Sequence, residues 1–150
     1  MSKHSFTPFF QPYTGRKRVY ISGPMTGYEN ANEKAFEEAA DNLRDLDYMV
    51  CNPHDTSTLL GELTHAEYLR FDFERILEAD FLVALPGWET SLGALSEILM
   101  AVRMDVKVWR WVCFADYNRI TYTQVAEAIG HSNNTPQQAG EQIITHERKT

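Results

Sequence analysis

Between Arg18 and Trp109, short apolar runs alternate with longer amphipathic ones, and that alternation leaves few folds open to the chain. Arg18-Val-Tyr-Ile-Ser22 reads as a buried strand, ended by the breakers Gly23 and Pro24. The spacing then predicts a helix over 30–47, with Phe36, Ala39, Ala40, Leu43 and Leu46 recurring on one face. Tyr48 to Cys51 forms a second strand, stopped at Asn52-Pro53. Thr64 caps a second helix running to Ala79, and Glu67 at the third helical position completes a capping box. Phe81 to Leu85 is a third strand, ended by Pro86-Gly87. Thr90 or Ser91 opens a third helix through Val102, and Val106 to Trp109 makes a fourth strand.

Strands that alternate with helices in this way form a parallel sheet, because each crossover between parallel neighbours is long enough to hold a helix. The expected architecture is α/β, a Rossmann-like parallel sheet with helices on both faces. It occupies residues 18–112. Residues 1–17 read as an arm in which Pro8, Pro12 and Gly15 break any periodicity. Residues 113–150 read as a small C-terminal helical extension, with helices over 122–129 and 136–144 around a polar loop at His131 to Thr135.

At 150 residues, with 43% hydrophobic and 12% aromatic side chains, the chain can bury the core of one domain. Disordered, collagen-like and disulfide-stapled classes are thereby excluded. Cys51 and Cys113 lie far apart, and no Cys/His pairing has zinc-ligand spacing, so no metal is expected and a reducing compartment is the plain reading. Residues 1–15 hold no continuous apolar stretch of the secretory kind, and nothing approaches the ~18 apolar residues of a membrane span. A soluble cytoplasmic protein is the expectation.

The net charge of −7 is unevenly spread. Residues 1–17 carry Lys3, Arg16 and Lys17 and no acid, whereas residues 18–116 hold 8 basic and 18 acidic side chains. An acidic domain repels a polyanion, since nucleic-acid binders draw most of their affinity from phosphate neutralisation. The tail from 124 to 140 has loose helix-turn-helix spacing, but residues 117–150 balance three basic against three acidic side chains. Nucleic acid is therefore an unlikely partner on sequence grounds. A small ligand held by backbone N–H groups remains open.

In open parallel sheets, ligands bind beyond the carboxyl ends of the strands. Three loops leave those ends: 22–27, 52–55 and 86–91, and the third runs straight into a helix N-terminus. Two acids on the helices stand out. Asp72 lies three residues after Leu69 and four before Ile76, on the inward face of the second helix, with Glu74 and Glu78 on solvated faces. Glu97 follows Gly93 by four residues and Ala94 by three, on a stripe of small side chains that a ligand can approach. Asp80 reads as a structural cap of its strand, and His54 as a structural histidine bordering the pocket beside Asp55.

Three segments together resemble the nucleoside 2-deoxyribosyltransferase superfamily. They are Val19-Tyr-Ile-Ser-Gly-Pro-Met-Thr-Gly27, then Asp72 with Ala79-Asp80, then Pro86-Gly-Trp-Glu-Thr-Ser-Leu-Gly-Ala-Leu-Ser-Glu97. The chain is most similar to that superfamily's often phage-encoded branch, a domain of unknown function, DUF4406. It also resembles the 2'-deoxynucleoside 5'-phosphate N-hydrolases. The resemblance spans about Arg18 to Trp109. It implies a hydrolase or transferase acting on the N-glycosidic bond of a nucleoside or nucleotide, with no cofactor. The alternative is a non-catalytic nucleotide-binding or sensing module of the same fold.

By resemblance, Glu97 is the nucleophile at C1' of the sugar, Asp72 handles the proton on the leaving base, and Tyr20 holds the nucleophilic carboxylate. Ser91 matches a serine that binds a 5'-phosphate together with the first loop. Ser22, Gly23, Met25, Gly27 and Gly93 join it as substrate-binding candidates. Trp88 is expected either to stack on a base or to pack on the second helix. The first loop departs from the hydrolases: Pro24 lacks an N–H, and no basic residue lies in the loop. The resemblance also implies a homo-oligomer, to which Phe6, Phe9, Phe10 and Tyr13 of the arm offer aromatic surface.

Overall fold

The structure, a computed structural model, describes residues 15–55, 61–111 and 117–133. The strands are β1 (Arg18–Ser22), β2 (Met49–Cys51), β3 (Phe81–Ala84), β4 (Lys107–Trp111) and β5 (Tyr117–Ile120). The helices are α1 (Glu33–Asp45), α2 (His65–Glu78), α3 (Leu92–Arg103) and α4 (Tyr122–Asn133). The strands form one sheet in the order β2-β1-β3-β4-β5. The first four are parallel, with Tyr20 opposite Cys51 on one side and Leu82 on the other. The expected α/β architecture is the one the chain adopts.

Side chains alternate across each strand, and the alternation divides the core in two. Val19, Ile21 and Val83 face α1, whose Phe36, Ala39, Ala40 and Leu43 are fully buried against them. Tyr20, Leu82, Ala84, Val108 and Ile120 face the other way, onto Ile76 of α2, Leu95 and Ile98 of α3 and Val125 of α4. Among the described residues, helices thus cover both faces, α1 on the first and α2, α3 and α4 on the second. Among the described residues no helix is long and apolar enough to cross a membrane.

Three expectations need correction. The helix predicted over 30–47 begins only at Glu33, because Asn30, Ala31 and Asn32 hold positive φ values of 48°, 53° and 64°. Left-handed backbone costs an ordinary residue about 1–2 kcal/mol, and here neighbours hold it. His54 Nε2 lies 2.9 Å from Ala31 O, and Asn32 Nδ2 donates to Pro24 O at 2.9 Å. The helix also ends early, so Leu46 is 51% exposed rather than in the core.

The second correction concerns the C-terminal side. β5 pairs antiparallel with β4, with Val108 opposite Ile120, so the sheet takes one further strand past residue 112 before the helical extension begins. α4 then packs back on α3. Third, α4 continues through Gly130 to Asn133, where a polar loop was expected. The arm over 1–14, Cys113 and the helix expected over 136–144 lie outside the described residues.

Candidate active site

The order β2-β1-β3-β4-β5 reverses direction between β1 and β3, and that crevice is where ligands bind in this kind of sheet. Tyr20 and Ser22 sit two residues apart on β1, so both side chains point to the face covered by α2 and α3. Each of those helices starts at a defined place. Thr64 Oγ1 accepts from Glu67 N while Glu67 returns a bond to Thr64 N, the capping box expected from the sequence. Ser91 Oγ accepts from Ala94 N at 3.2 Å and so caps α3. These starts set the phase of each helix, which turns Asp72 and Glu97 toward β1.

Glu97 is 8% exposed, and both of its oxygens are held. The Tyr20 hydroxyl donates to Oε2, and the Ser22 hydroxyl donates to Oε1 at 2.7 Å. Burial pushes the Glu97 carboxyl up to about 8, the nearby charge of Asp72 adds to the rise, and the two hydroxyls oppose it. Burial likewise raises Asp72 to about 6, against a hydrogen bond with Tyr20 and the positive charge of Arg75. The Tyr20 phenol is pushed well above its usual value, first by burial and then by the two carboxylates, so it stays a neutral donor.

Two carboxyl groups so coupled titrate as a pair, and near neutral pH they share about one proton. The Tyr20 phenol donates to Glu97 Oε2 and is also in hydrogen-bonding contact with Asp72. With Ser22 also donating, the two hydroxyls favour the Glu97 anion, whereas burial and the Asp72 charge favour its protonated form, so one carboxylate stands beside one carboxylic acid. The arrangement can therefore present a carboxylate nucleophile beside a carboxylic acid.

The remaining sequence candidates fall into distinct places. Ser22 is fully buried and holds Glu97, instead of lining an open ligand surface. Gly23 is packed so closely that an added Cβ would lie 2.8 Å from Leu85 Cβ, which gives the glycine a packing reason. Met25 packs against the α1-side core, away from Glu97. Gly27 is exposed with φ of +86°, and Gly93 is exposed at the start of α3, where an added Cβ would lie 4.0 Å from Ser91 Oγ.

Trp88 lies in the buried cluster that also holds Ile76 of α2. It is only 2% exposed, and the same cluster takes in Val125 and Ala128 of α4. Its turn packs on α4. Asp80 takes the backbone N–H of Arg18 at 2.8 Å and its guanidinium at 3.1 Å, tying β1 to β3 at the edge far from Glu97. His54 packs edge-on against Phe36 and braces the Ala31 carbonyl, both structural tasks.

Sequence reasoning missed Arg75 and misplaced Glu78. Arg75 is buried on α2 over the ring of Phe71, 2.6 Å from Glu78 and 3.5 Å from Glu74. Glu78 is thus a partner of a buried cation and not a solvated acid. Two clefts of about 340 Å³ lie away from the paired carboxylates, one beside Lys17 and Lys107 and one between Trp88 and α4. Among the described residues no group of three or more His, Cys, Asp or Glu side chains is placed to hold a metal ion.

Residues 17–110, more than half of the chain, match the family described as Domain of unknown function (DUF4406). The chain belongs to the DUF4406 family. No curated protein matches it. The DUF4406 span takes in β1 to β3, α1 to α3 and nearly all of β4, and with them Tyr20, Ser22, Asp72 and Glu97. β5 and α4 of this DUF4406 chain lie beyond the matched residues.

Proposed function

We propose that this DUF4406 chain cleaves or transfers at the N-glycosidic bond of a (deoxy)nucleoside or its 5'-monophosphate. On this reading the family is a branch of the nucleoside 2-deoxyribosyltransferase superfamily. The observation that carries it is the buried Glu97 carboxyl with one hydroxyl on each oxygen and a second, raised carboxyl at Asp72. A carboxylate held this firmly is oriented, and burial makes it reactive toward a carbon that develops positive charge.

In the first step a Glu97 oxygen attacks C1' and the C1'–N bond breaks. The electron pair of that bond leaves with the base, which takes the proton of Asp72. A glycosyl ester on Glu97 results. In the second step water or another base attacks C1', Asp72 accepts its proton, and the Glu97 carboxylate is restored. The pair of acids works as in retaining glycosidases. Tyr20 and Ser22 bind Glu97 before attack and after release. The same reading makes the protein a cytoplasmic enzyme and an assembly of two or more copies; light scattering that gives a mass near 17.3 kDa at micromolar concentration contradicts the assembly.

The test is incubation with a panel of nucleosides, deoxynucleosides and their 5'-monophosphates, with and without an acceptor base, followed by chromatography. Free or exchanged base from at least one substrate is expected. Binding without any release of base would support the sensing module instead.

A further inference from the structure

Among the described residues, five large apolar or aromatic side chains are exposed: Tyr28, Leu46, Leu77, Met104 and Tyr122. Leu46, Leu77 and Met104 lie at the C-terminal ends of α1, α2 and α3. Helices that cross between parallel strands run back against them, so these three sit at the amino edge of the sheet. Tyr122 opens α4 directly after the antiparallel β5, which ends at that same edge. Tyr28 alone of the five stands at the carboxyl edge, where β1 and β3 diverge.

Its position there is built. Tyr28 closes a turn onto Met25 O at 3.2 Å, and its own carbonyl accepts from Ala31 N at 3.1 Å. The left-handed Asn30–Asn32 segment, braced by Pro24 and His54, fixes the chain immediately beyond it. The side chain then reaches across from the β1 loop to the β3 loop. An added Cβ on Gly87 would lie 2.7 Å from the Tyr28 hydroxyl, and Gly87 holds φ of +92°. Glycine at 87 therefore gives Tyr28 a seat on the far wall of the crevice. Gly87 leads through the turn at Trp88–Thr90 to Ser91, the cap of the helix that carries Glu97.

We infer that Tyr28 is a substrate-binding residue whose ring meets the flat heterocycle of the substrate, an inference that rests on the function proposed above. The sugar must reach down to the buried Glu97, so another part of the ligand remains at the rim. An anionic 5' end finds no basic residue in the loop 22–27 that leads to Tyr28. A planar base finds an exposed aromatic face, and stacking suits it without regard to its edge pattern. Tyr28 thus takes the part that the sequence offered to Trp88.

The experiment measures equilibrium dialysis of adenine, guanine, cytosine and thymine, and separately of 2-deoxyribose 5-phosphate, on Glu97→Gln protein, where nothing turns over. Adding Tyr28→Ala is expected to weaken the best-bound base about tenfold or more, whereas Tyr28→Phe stays within about threefold. Binding of the sugar phosphate is expected to be unchanged in both. In otherwise wild-type protein, Tyr28→Ala should raise KM for nucleosides by the same factor with little change in kcat. Unchanged base binding in Tyr28→Ala overturns the inference, as does an equal loss for base and sugar phosphate, or no base binding by the parent protein. Tyr28-dependent base binding in a protein that releases no base from any nucleoside would uphold Tyr28 and remove the proposed reaction.

Discussion

The phenol of Tyr20 on β1 donates its proton to Glu97 on α3, a residue 77 positions later in the chain. The contact joins the sheet to the helix at a buried point, where an unpaired carboxylate would be costly. Ser22 completes the cradle from the same strand face. Because the phenol is held well above its usual range, it remains a donor throughout the working pH range.

Removing that donor is the simplest test of its role. Tyr20→Phe keeps the ring in the core and leaves Glu97 with Ser22 alone. A hydrogen bond to a charged group is worth about 1.5–3 kcal/mol, or roughly 10–150-fold in kcat/KM. Steady-state kinetics on the best substrate should show a loss in that range. An unchanged kcat/KM in a folded Tyr20→Phe protein contradicts the role.

The paired carboxyls set the pH dependence. Below about 6 both Asp72 and Glu97 hold protons and no nucleophile exists. Above about 8 both are ionised and the leaving base has no acid. A plot of kcat/KM against pH should be bell-shaped, with limbs near these values. A plot that is flat from pH 5 to 9 would count against the two-carboxyl mechanism.

Stability should move with pH in a direction fixed by the same groups. Both carboxyls are raised in the folded protein, so it retains protons that the unfolded chain has already released. From about pH 4 upward the folded state therefore loses stability, until the raised groups have themselves ionised near pH 8. Asp80, which Arg18 holds below its usual range, works the opposite way and loses its contribution as pH falls. Glu97→Gln removes only the Glu97 share. Its melting temperature relative to wild type should rise between pH 5 and pH 8, and a constant difference would contradict the burial of an ionising carboxyl.

Ser91 is occupied as a helix cap, with its hydroxyl oxygen on Ala94 N. Ser91→Ala should lower stability by about 1 kcal/mol, which corresponds to a melting shift of about 2–4 °C for a domain of this size. Losses in kcat/KM should be similar for a nucleoside and its 5'-monophosphate. A loss confined to the monophosphate would give Ser91 a phosphate contact as well.

Much of this was legible in the chain, for local reasons. Short apolar runs bounded by breakers and helical spacing located β1 to β4 and α1 to α3, and Thr64 and Ser91 announced their caps. What escaped depends on distant residues. Tyr117-Asn-Arg-Ile120 is short and half polar, and it becomes a strand only because β4 offers an open edge. Arg75 reads as a surface charge until Glu78, Glu74 and Phe71 are seen around it. The start of α1 was hidden because nothing local forbids helix at Ala31, and the carbonyl brace comes from His54, 23 residues away. Within the site, the small-residue stripe pointed to Glu97, but the second hydroxyl, from Ser22, needed the fold to be seen.

The central claim is that Glu97 bonds covalently to the sugar. The direct measurement is mass spectrometry of protein quenched in acid during turnover of the best substrate, followed by peptide mapping. The account predicts a peptide containing Glu97 heavier by one sugar residue, an adduct that disappears when a second base or time for hydrolysis is given and that never forms in Glu97→Gln. Rapid release of base with no adduct on Glu97 at any quench time, and undiminished turnover by Glu97→Gln, would contradict it.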